Sequence, residues 1–288
     1  MPDRHHYVPL VLLRNFAPGE KIWLYDKHES KSFKTNIRNA FVEGNYNTVV
    51  ASDATLEAEQ IFGRAEDLAA PVLQSILSKK DVRHLTIDEH AQLATFVTIQ
   101  HLRSKQSRKT FALIREHIQE RFPGIPQSNF HIDGLSPSEA DKYASLDFII
   151  KNLADLTQLV AHKDLILIEL TGPGSFWISD HPVILHNDNP AGIASNRGFG
   201  VVGVQIYLPI SPSYAIAFFC PTLFRELEHG VNKIETIRSN FFARSFAQGT
   251  TGMFVDLTLA DLKFQQKKDG AEFSKGIKRS LRIFITGR

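Results

Sequence analysis

The spacing of apolar and polar residues divides the chain into three consecutive parts. Residues 21–25 and 32–36 alternate weakly, which predicts an early hairpin with a polar loop between its strands. Apolar residues between positions 56 and 159 recur at helical spacing, and from position 164 the pattern changes to dense apolar runs of strand length. A helical middle followed by strands favours the α+β class over a doubly wound sheet. We therefore expect a central helical bundle packed on a strand-rich C-terminal half, with a small N-terminal hairpin.

The first of the predicted helices begins after a loop that ends near Tyr46. Ser52 or Asp53 is a suitable N-cap for it, because a short polar side chain can accept hydrogen bonds from the free N–H groups of the first turn. Pro71 lies within the apolar stripe of this helix. Because proline removes a helical hydrogen bond, we expect a kink or a division there.

Two further helices carry clearer start signals. Thr86 with Glu89 three residues later forms a capping-box pattern, and a break is predicted near residues 104–109 of this long segment. Ser136 or Ser138 is predicted to cap the next helix, which continues to about position 162.

The strand-rich part contains several short apolar runs. Strands are predicted at residues 165–170, 176–178, 183–185, 201–208, 214–219, 254–257 and 281–285, and helices at residues 222–231 and 234–247. With 288 residues, the chain can form one large domain or two small ones. We interpret it as a single domain, residues 1–288, in which residues 1–52 hold the N-terminal motif and hairpin, residues 53–162 the helices, and residues 163–288 the strands.

Composition adds few functional constraints. The formal net charge is +2, so overall charge does not argue for nucleic acid, although a local groove can still be basic. The one cysteine, Cys220, rules out an internal disulfide and a thiolate zinc site, and its apolar surroundings in the sequence predict a buried structural thiol. Neither a signal peptide nor a membrane span is recognisable, so we expect a cytoplasmic protein without a membrane partner.

The first candidate for chemistry is the opening segment His5, His6, Tyr7, Val8 and Pro9. The residue before a proline favours extended geometry, and in an extended segment alternate side chains share a face. His6 should therefore point with Val8, and His5 with Tyr7. Pro9 suits the first position of a short helix, whose free N–H groups could receive an anion. A structural, hydrogen-bonded role for either histidine is the competing interpretation.

The middle helices place polar residues where apolar ones are expected. Gln100 continues an apolar stripe, and Arg103 lies three residues further on the same face. A buried polar group needs partners, and an arginine there can hold a phosphate or carboxylate with two hydrogen bonds. Alternatively, Arg103 pairs with Glu57 or Glu66, which we place on the first long helix. Glutamates on a helix are usually solvated, but one aimed into the bundle could be a metal ligand.

A third polar cluster, Ser179, Asp180 and His181, follows an apolar strand and precedes Pro182. Strand ends are common places for functional sites, although the same residues also suit a capped turn. A Ser-His-Asp triad is not indicated, because the sequence has no Gly-x-Ser-x-Gly elbow. A phosphate loop and a His-Glu-x-x-His zinc motif are also absent from the sequence.

These positions resemble the pattern of a widespread bacterial family of unknown function. The resemblance rests on His6-Tyr7-Val8-Pro9, Leu13-Arg14-Asn15-Phe16, Tyr46, Leu56-Glu57, Glu66, Gln100, Arg103, Ser179, Asp180 and Pro182. Members often have glutamine after the proline of the opening motif, whereas this chain has Leu10. The resemblance implies no activity, but its residues coincide with the polar exceptions found above.

The first hypothesis is a metal-dependent phosphodiester hydrolase, either a nuclease or a nucleotide hydrolase, for which a toxin or a defence effector is a suitable biological role. The predicted catalytic residues are His6, Glu57, Gln100, Arg103 and Asp180. A divalent Mg, Mn or Zn ion held by His6, Glu57 and Asp180 would activate water, and Arg103 would offset negative charge. The predicted ligand-binding residues are His5, Tyr7, Arg14, Tyr46 and Ser179.

Two other hypotheses use the same residues. In the first, the cluster is a non-catalytic binding module for a small anionic ligand or nucleotide, with Arg103 and the helix start at Pro9 doing the binding. In the second, the cluster is only a structural network that joins the two halves of the chain. All three require side chains that are distant in sequence to meet around His6.

Overall fold

Five α-helices and thirteen β-strands make up the described part of the chain in a computed structural model. The described residues are 3–27, 29–51, 55–124, 132–171, 175–187, 198–221, 253–256 and 280–285. The helices are α1 (Leu10–Phe16), α2 (Glu59–Lys79), α3 (Ile87–Leu102), α4 (Lys105–Arg121) and α5 (Pro137–Ala161). The strands are β1 (Arg4–His6), β2 (Lys21–Asp26), β3 (Lys31–Asn36), β4 (Val42–Gly44), β5 (Thr48–Val50), β6 (Thr55–Glu57), β7 (Asp164–Thr171), β8 (Ile178–Ser179), β9 (Ile184–Asn187), β10 (Val204–Pro209), β11 (Tyr214–Phe219), β12 (Met253–Asp256) and β13 (Ser280–Ile285).

The predicted starts of α3 and α5 and the predicted break after α3 are confirmed. Thr86 Oγ1 accepts from the Glu89 backbone N–H at 3.2 Å, and the Glu89 carboxylate accepts from the Thr86 N–H at 2.8 Å. Ser136 forms the same capping box at the start of α5. The long segment is divided where α3 ends, and Ser104 caps α4 by accepting from Ser107 N–H at 3.2 Å.

The predicted start of the first long helix is wrong, and of the two alternatives at Pro71 the division is excluded. The helix begins at Glu59, because the preceding residues form a ribbon in which β5 pairs with β6 and Val49 lies opposite Leu56. The predicted caps at positions 52 and 53 lie outside the described residues. Helix α2 also continues through Pro71 without a division. Pro71 is exposed, so the carbonyl group that loses its helical partner can bind water instead.

The strands form two larger antiparallel sheets. One has the order β13-β7-β11-β10-β9, and the predicted edge position of residues 281–285 is confirmed there. The other has the order β3-β2-β12-β8. The predicted early hairpin is present as β2 and β3, but it is not isolated, because β12 pairs along β2 and joins it to β8. Residues from both ends of the chain thus share one sheet.

The largest hydrophobic core connects the helices to the five-stranded sheet. It includes Leu13 of α1, Leu73 of α2, Phe96 of α3 and Ile216 of β11, all of which are completely or almost completely buried. A second core lies beneath α2, α3 and α5. Cys220 is buried, as predicted. The α+β class is confirmed, with helices mainly before and strands mainly after position 162. The helices predicted after position 221 lie outside the described residues.

None of the described helices combines the length and the apolar character that crossing a membrane requires.

Candidate functional site

The centre of the candidate site is the side chain of Arg103, which has no solvent-exposed surface. Arg103 follows the last residue of α3, at the break before α4. Its Nη2 donates to Glu66 Oε1 at 2.6 Å. With the Gln100 amide turned so that its oxygen faces the guanidinium, that oxygen accepts from Arg103 Nε at 3.0 Å and from Nη2 at 2.5 Å. Two neighbours on α2 and α3 therefore fix the guanidinium plane.

One end of the same guanidinium has no hydrogen-bond partner among the residues that the structure describes. Within the described part of the chain, Arg103 Nη1 is buried and makes no hydrogen bond. Glu66 offsets the charge of Arg103, but it accepts a hydrogen bond only from Nη2. A buried donor without an acceptor is costly, so this nitrogen is a natural place for an acceptor that is not part of the described chain.

Tyr46 contacts Arg103, and Tyr7 packs against Tyr46. The Tyr46 hydroxyl donates to the backbone carbonyl of Arg103 at 2.9 Å, and the rings of Tyr46 and Tyr7 have centroids 5.1 Å apart. Burial raises the pKa of Tyr46 to about 12. Its hydroxyl therefore remains protonated at neutral pH and acts as a donor.

His6 reaches the cluster from β1, which pairs with β4 so that His6 lies opposite Val42. Burial lowers the pKa of His6, and the positive charges of Arg4 and Arg103 lower it further, whereas backbone hydrogen bonding at Ile37 opposes this. The imidazole is therefore neutral at pH 7. Its Nε2 is buried and has no hydrogen-bond partner among the described residues.

Asp180 completes the cluster from the segment after β8. It is fully buried, and its negative charge raises the pKa of both Tyr7 and Tyr46, for which burial is the larger cause. The neighbouring Ser179 hydroxyl donates to the His181 carbonyl at 2.9 Å and accepts from the His181 N–H at 3.1 Å. Ser179 thus forms the turn that fixes Asp180 in place.

Seven predicted residues meet here, which we call the Arg103 cluster: His6, Tyr7, Tyr46, Gln100, Arg103, Ser179 and Asp180. They come from four separate segments of the chain. Tyr46 and Gln100 contact Arg103 directly, the charge of Arg103 lowers the pKa of His6, and the charge of Asp180 raises the pKa of Tyr46. A functional site around His6 stays a prediction.

Three predicted residues lie elsewhere. Glu57 is exposed on β6, so its predicted place on the first long helix is wrong, and no hydrogen bond or ion pair joins it to Arg103 in the described chain. Arg14 is exposed in the last turn of α1. His5 is buried, but its Nδ1 accepts from the Asn47 N–H at 3.0 Å. His5 therefore has the structural role that was its competing interpretation.

The anion site expected at the helix start is also not supported. Pro9 is the N-cap rather than the first helical residue, and its carbonyl already accepts from the N–H groups of Leu12 and Leu13 at 3.1 Å. Helix α1 has only seven residues, so its dipole is small.

The sequence held a signal for Glu66 that was given too little weight. Glu66 lies four residues after Phe62 and three before Ala69, both of which are completely buried. Glu66 is thus on the apolar stripe of α2, where a carboxylate needs a partner. A second buried contact was missed altogether. His181 Nδ1 lies 2.6 Å from Ser104 Oγ, and its ring centroid is 5.1 Å from that of His101.

The predicted metal ligands are not all brought together. Asp180 and His6 belong to the Arg103 cluster, but Glu57 does not. The side chains that the structure describes include no group of three or more His, Cys, Asp or Glu residues spaced to hold a metal ion.

Comparisons with known proteins give a family but no relative of known function. No curated protein and no solved structure matches the chain. The predicted resemblance to an uncharacterised family is confirmed by a family model that covers residues 4–245, although the opening motif itself is not tested by this match. The chain belongs to the family described as protein of unknown function (DUF4238).

Proposed function

We propose that this protein hydrolyses a phosphodiester bond in a nucleic acid or a nucleotide at the Arg103 cluster. The observation that carries the proposal is a pair of buried nitrogens without partners within the described chain, Arg103 Nη1 and His6 Nε2. They come from distant segments, yet the charge of Arg103 acts on His6. A phosphate offers several acceptor oxygens and can bond to the guanidinium, as it does in many arginine–phosphate pairs.

The protonation of His6 fits the role of general base. Backbone hydrogen bonding at Ile37 favours a proton on one ring nitrogen, and the buried Nε2 is then left with its lone pair. Such a nitrogen can accept a proton from an attacking water, provided that the imidazole is neutral at the working pH. The lowered pKa of His6 keeps it neutral.

Arg103 is suited to stabilise the charge that develops on the phosphoryl oxygens. Its plane is fixed by Glu66 and Gln100 before any substrate arrives, and it lies where no water competes. Donors fixed in advance in a water-excluded site stabilise transition-state charge more than mobile donors in water. Tyr46 fixes the backbone of Arg103 in addition.

A divalent ion remains part of the proposal. Asp180 is the candidate ligand here, because the Nε2 lone pair of His6 serves as the general base, and Mg²⁺ commonly binds through one or two carboxylates together with substrate phosphates. With such an ion present, the metal would polarise the phosphoryl oxygen and lower the pKa of a bound water.

The test is hydrolysis of single-stranded RNA, single-stranded DNA, duplex DNA and nucleotides with EDTA, Mg²⁺, Mn²⁺ or Zn²⁺. We expect His6→Gln to reduce the rate by about 10²–10⁴-fold, the usual contribution of a general base. The matched control is His117→Gln, which changes an exposed histidine on α4. Intact substrates under every metal condition, or equal rates for the two variants, would contradict the proposal. If the protein is a toxin or defence effector, expression of the wild type slows growth and His6→Gln does not.

The second candidate is a binding module without catalysis. The observation in its favour is the nearly complete burial of the cluster, since Gln100, Arg103 and Asp180 have 0% exposed surface and Tyr46 has 2%. A ligand enclosed there would be held without access for bulk water. This alternative predicts a co-purified anion in native mass spectrometry, its loss in Arg103→Lys, and no turnover of any substrate in the panel.

A further inference from the structure

A polar cavity is lined in part by Tyr46, whose hydroxyl donates to the Arg103 carbonyl. It is a cleft of about 440 Å³ between α4, α5 and the segment that joins β4 to β5. Its lining includes Arg108, Lys109, Lys142 and three acidic residues. Its volume falls within the range of small-molecule sites, about 300–1,000 Å³.

The carboxylates of this cleft already have partners. Glu43 forms an ion pair with Lys105 at 2.8 Å, and Asp141 forms one with Arg115 at 3.1 Å. Glu139 is held in the capping box of α5, where it accepts from the backbone N–H and hydroxyl of Ser136. Each acid thus has another partner, although the charge of Glu43 still acts on Arg108 and Lys142, and that of Glu139 on Lys142.

Among the described residues, three cations of the cleft form no ion pair with a carboxylate: Arg108, Lys109 and Lys142. The guanidinium of Arg108 stacks over the Tyr46 ring, 3.8 Å from its centroid, and Nη2 donates to the Tyr46 carbonyl at 3.1 Å. Its Nε is buried and has no hydrogen-bond partner in the described chain. Lys142 Nζ donates to the Asn45 carbonyl at 2.5 Å, which is a neutral acceptor.

The pKa values of two of these cations are lowered. Burial lowers the pKa of Arg108. Burial also lowers the pKa of Lys142, and the positive charge of Arg108 lowers it further. An anion between the two groups would offset both effects.

We propose that this cleft, called the Arg108 cleft, binds a phosphate group of a nucleotide or of a single nucleic-acid strand. The stacked guanidinium presents an unused donor, and Lys109 and Lys142 add positive charge without forming an ion pair to a carboxylate of the described residues. Tyr46 connects the cleft to the Arg103 cluster, because its hydroxyl bonds to Arg103 and its ring carries Arg108. Phosphate binding in the cleft does not depend on hydrolysis at the Arg103 cluster.

The proposal is tested by isothermal titration of the full chain at low salt with pyrophosphate, a mononucleotide and a short single-stranded oligonucleotide. We expect Arg108→Gln to weaken binding by about tenfold or more, because it removes a charge-assisted hydrogen bond. Lys109→Gln changes an exposed side chain that is compatible with folding, and it should weaken binding and reduce the salt dependence of oligonucleotide affinity. The control is Arg121→Gln, which makes the same charge change at the exposed end of α4, outside the cleft.

The outcomes separate the cleft from the Arg103 cluster. Binding that survives His6→Gln but falls in both Arg108→Gln and Lys109→Gln supports the cleft, whether or not the protein hydrolyses its ligand. If pyrophosphate and the oligonucleotide bind with equal affinity, the ligand of the cleft is a nucleotide. If the oligonucleotide binds much more tightly, the ligand is a nucleic-acid strand. The proposal is overturned if no probe binds saturably, or if Arg121→Gln and Lys109→Gln have the same effect.

Discussion

Replacing Glu66 by glutamine isolates the charge that compensates Arg103. The substitution keeps the size of the side chain and one hydrogen-bond acceptor, but it removes the negative charge 2.6 Å from Arg103 Nη2. Arg103 has no exposed surface, so water cannot solvate its charge when the carboxylate is removed. The expected result is a large loss of stability from a nearly isosteric change.

The magnitude follows from the burial of the pair. Removing one partner of a buried ion pair costs about 3–5 kcal/mol, because the other charge stays buried without compensation. The Glu66 side chain is 25% exposed, so solvent screens part of the interaction, and we expect a value near the lower end, about 3 kcal/mol. The control is Asp147→Asn, which breaks the Asp147–Lys151 pair on α5, whose lysine side chain is 69% exposed. A surface pair of this kind contributes little to stability, because solvent and salt screen it.

The assay is urea unfolding at pH 7, followed by tryptophan fluorescence, with the free energy of unfolding extrapolated to water. Trp177 is buried and Trp23 is partly buried, so both report on the folded state. If Glu66→Gln costs less than about 1 kcal/mol, or no more than Asp147→Asn, the ion pair does not hold Arg103 in place, and the assignment of Glu66 is wrong.

Three further predictions concern stability. Burial lowers the pKa of His101 to about 4, so as the pH falls the unfolded chain binds a proton before the folded chain does. The contribution of His101 to the free energy of unfolding is therefore complete above pH 6.5 and falls by up to about 1.4 kcal/mol per pH unit towards pH 4. His101→Gln should make the urea midpoints at pH 7, 6 and 5 more nearly equal. Tyr46→Phe removes the donor to the Arg103 carbonyl and should cost about 1–3 kcal/mol in the same assay, whereas a cost near zero would contradict that hydrogen bond. Pro71→Ala should stabilise the protein by about 2 kcal/mol, since the gain in helix propensity exceeds the loss of unfolded-state rigidity; a lower melting temperature would show that Pro71 shapes α2.

Local signals in the sequence predicted the elements that local chemistry determines. The capping box at Thr86 and the hairpin at β2 and β3 depend on residues close in sequence, and both are present. The start of α2 was misplaced because Leu56 matches a helical stripe, while its actual partner, Val49, lies across a ribbon. The pairing of β12 with β2 joins residues more than two hundred positions apart, and no local pattern encodes it.

The site was predicted best where a polar residue interrupts an apolar stripe. Gln100 and Arg103 were found in this way, and Glu66 carried the same signal. Glu57 was selected as a glutamate of the first long helix that could face the bundle, and the resemblance agreed. Its exposed position on β6 shows that the prediction failed because the start of the helix was misplaced. The Arg108 cleft gave no such signal, because Arg108 and Lys109 look like a solvated helix face until the contacts of Tyr46 are known.

The central claim is that an anion binds between His6 and Arg103, and the pKa of His6 tests it most directly. The measurement is an NMR titration of the His6 ring protons in the wild-type protein, with and without a saturating phosphorothioate dinucleotide. In the free protein, burial and the charges of Arg4 and Arg103 lower this pKa. A bound phosphate would attract the proton and offset Arg103, so we predict that the pKa of His6 rises in the complex. A pKa that is unchanged or lower while the ligand is bound would contradict the claim.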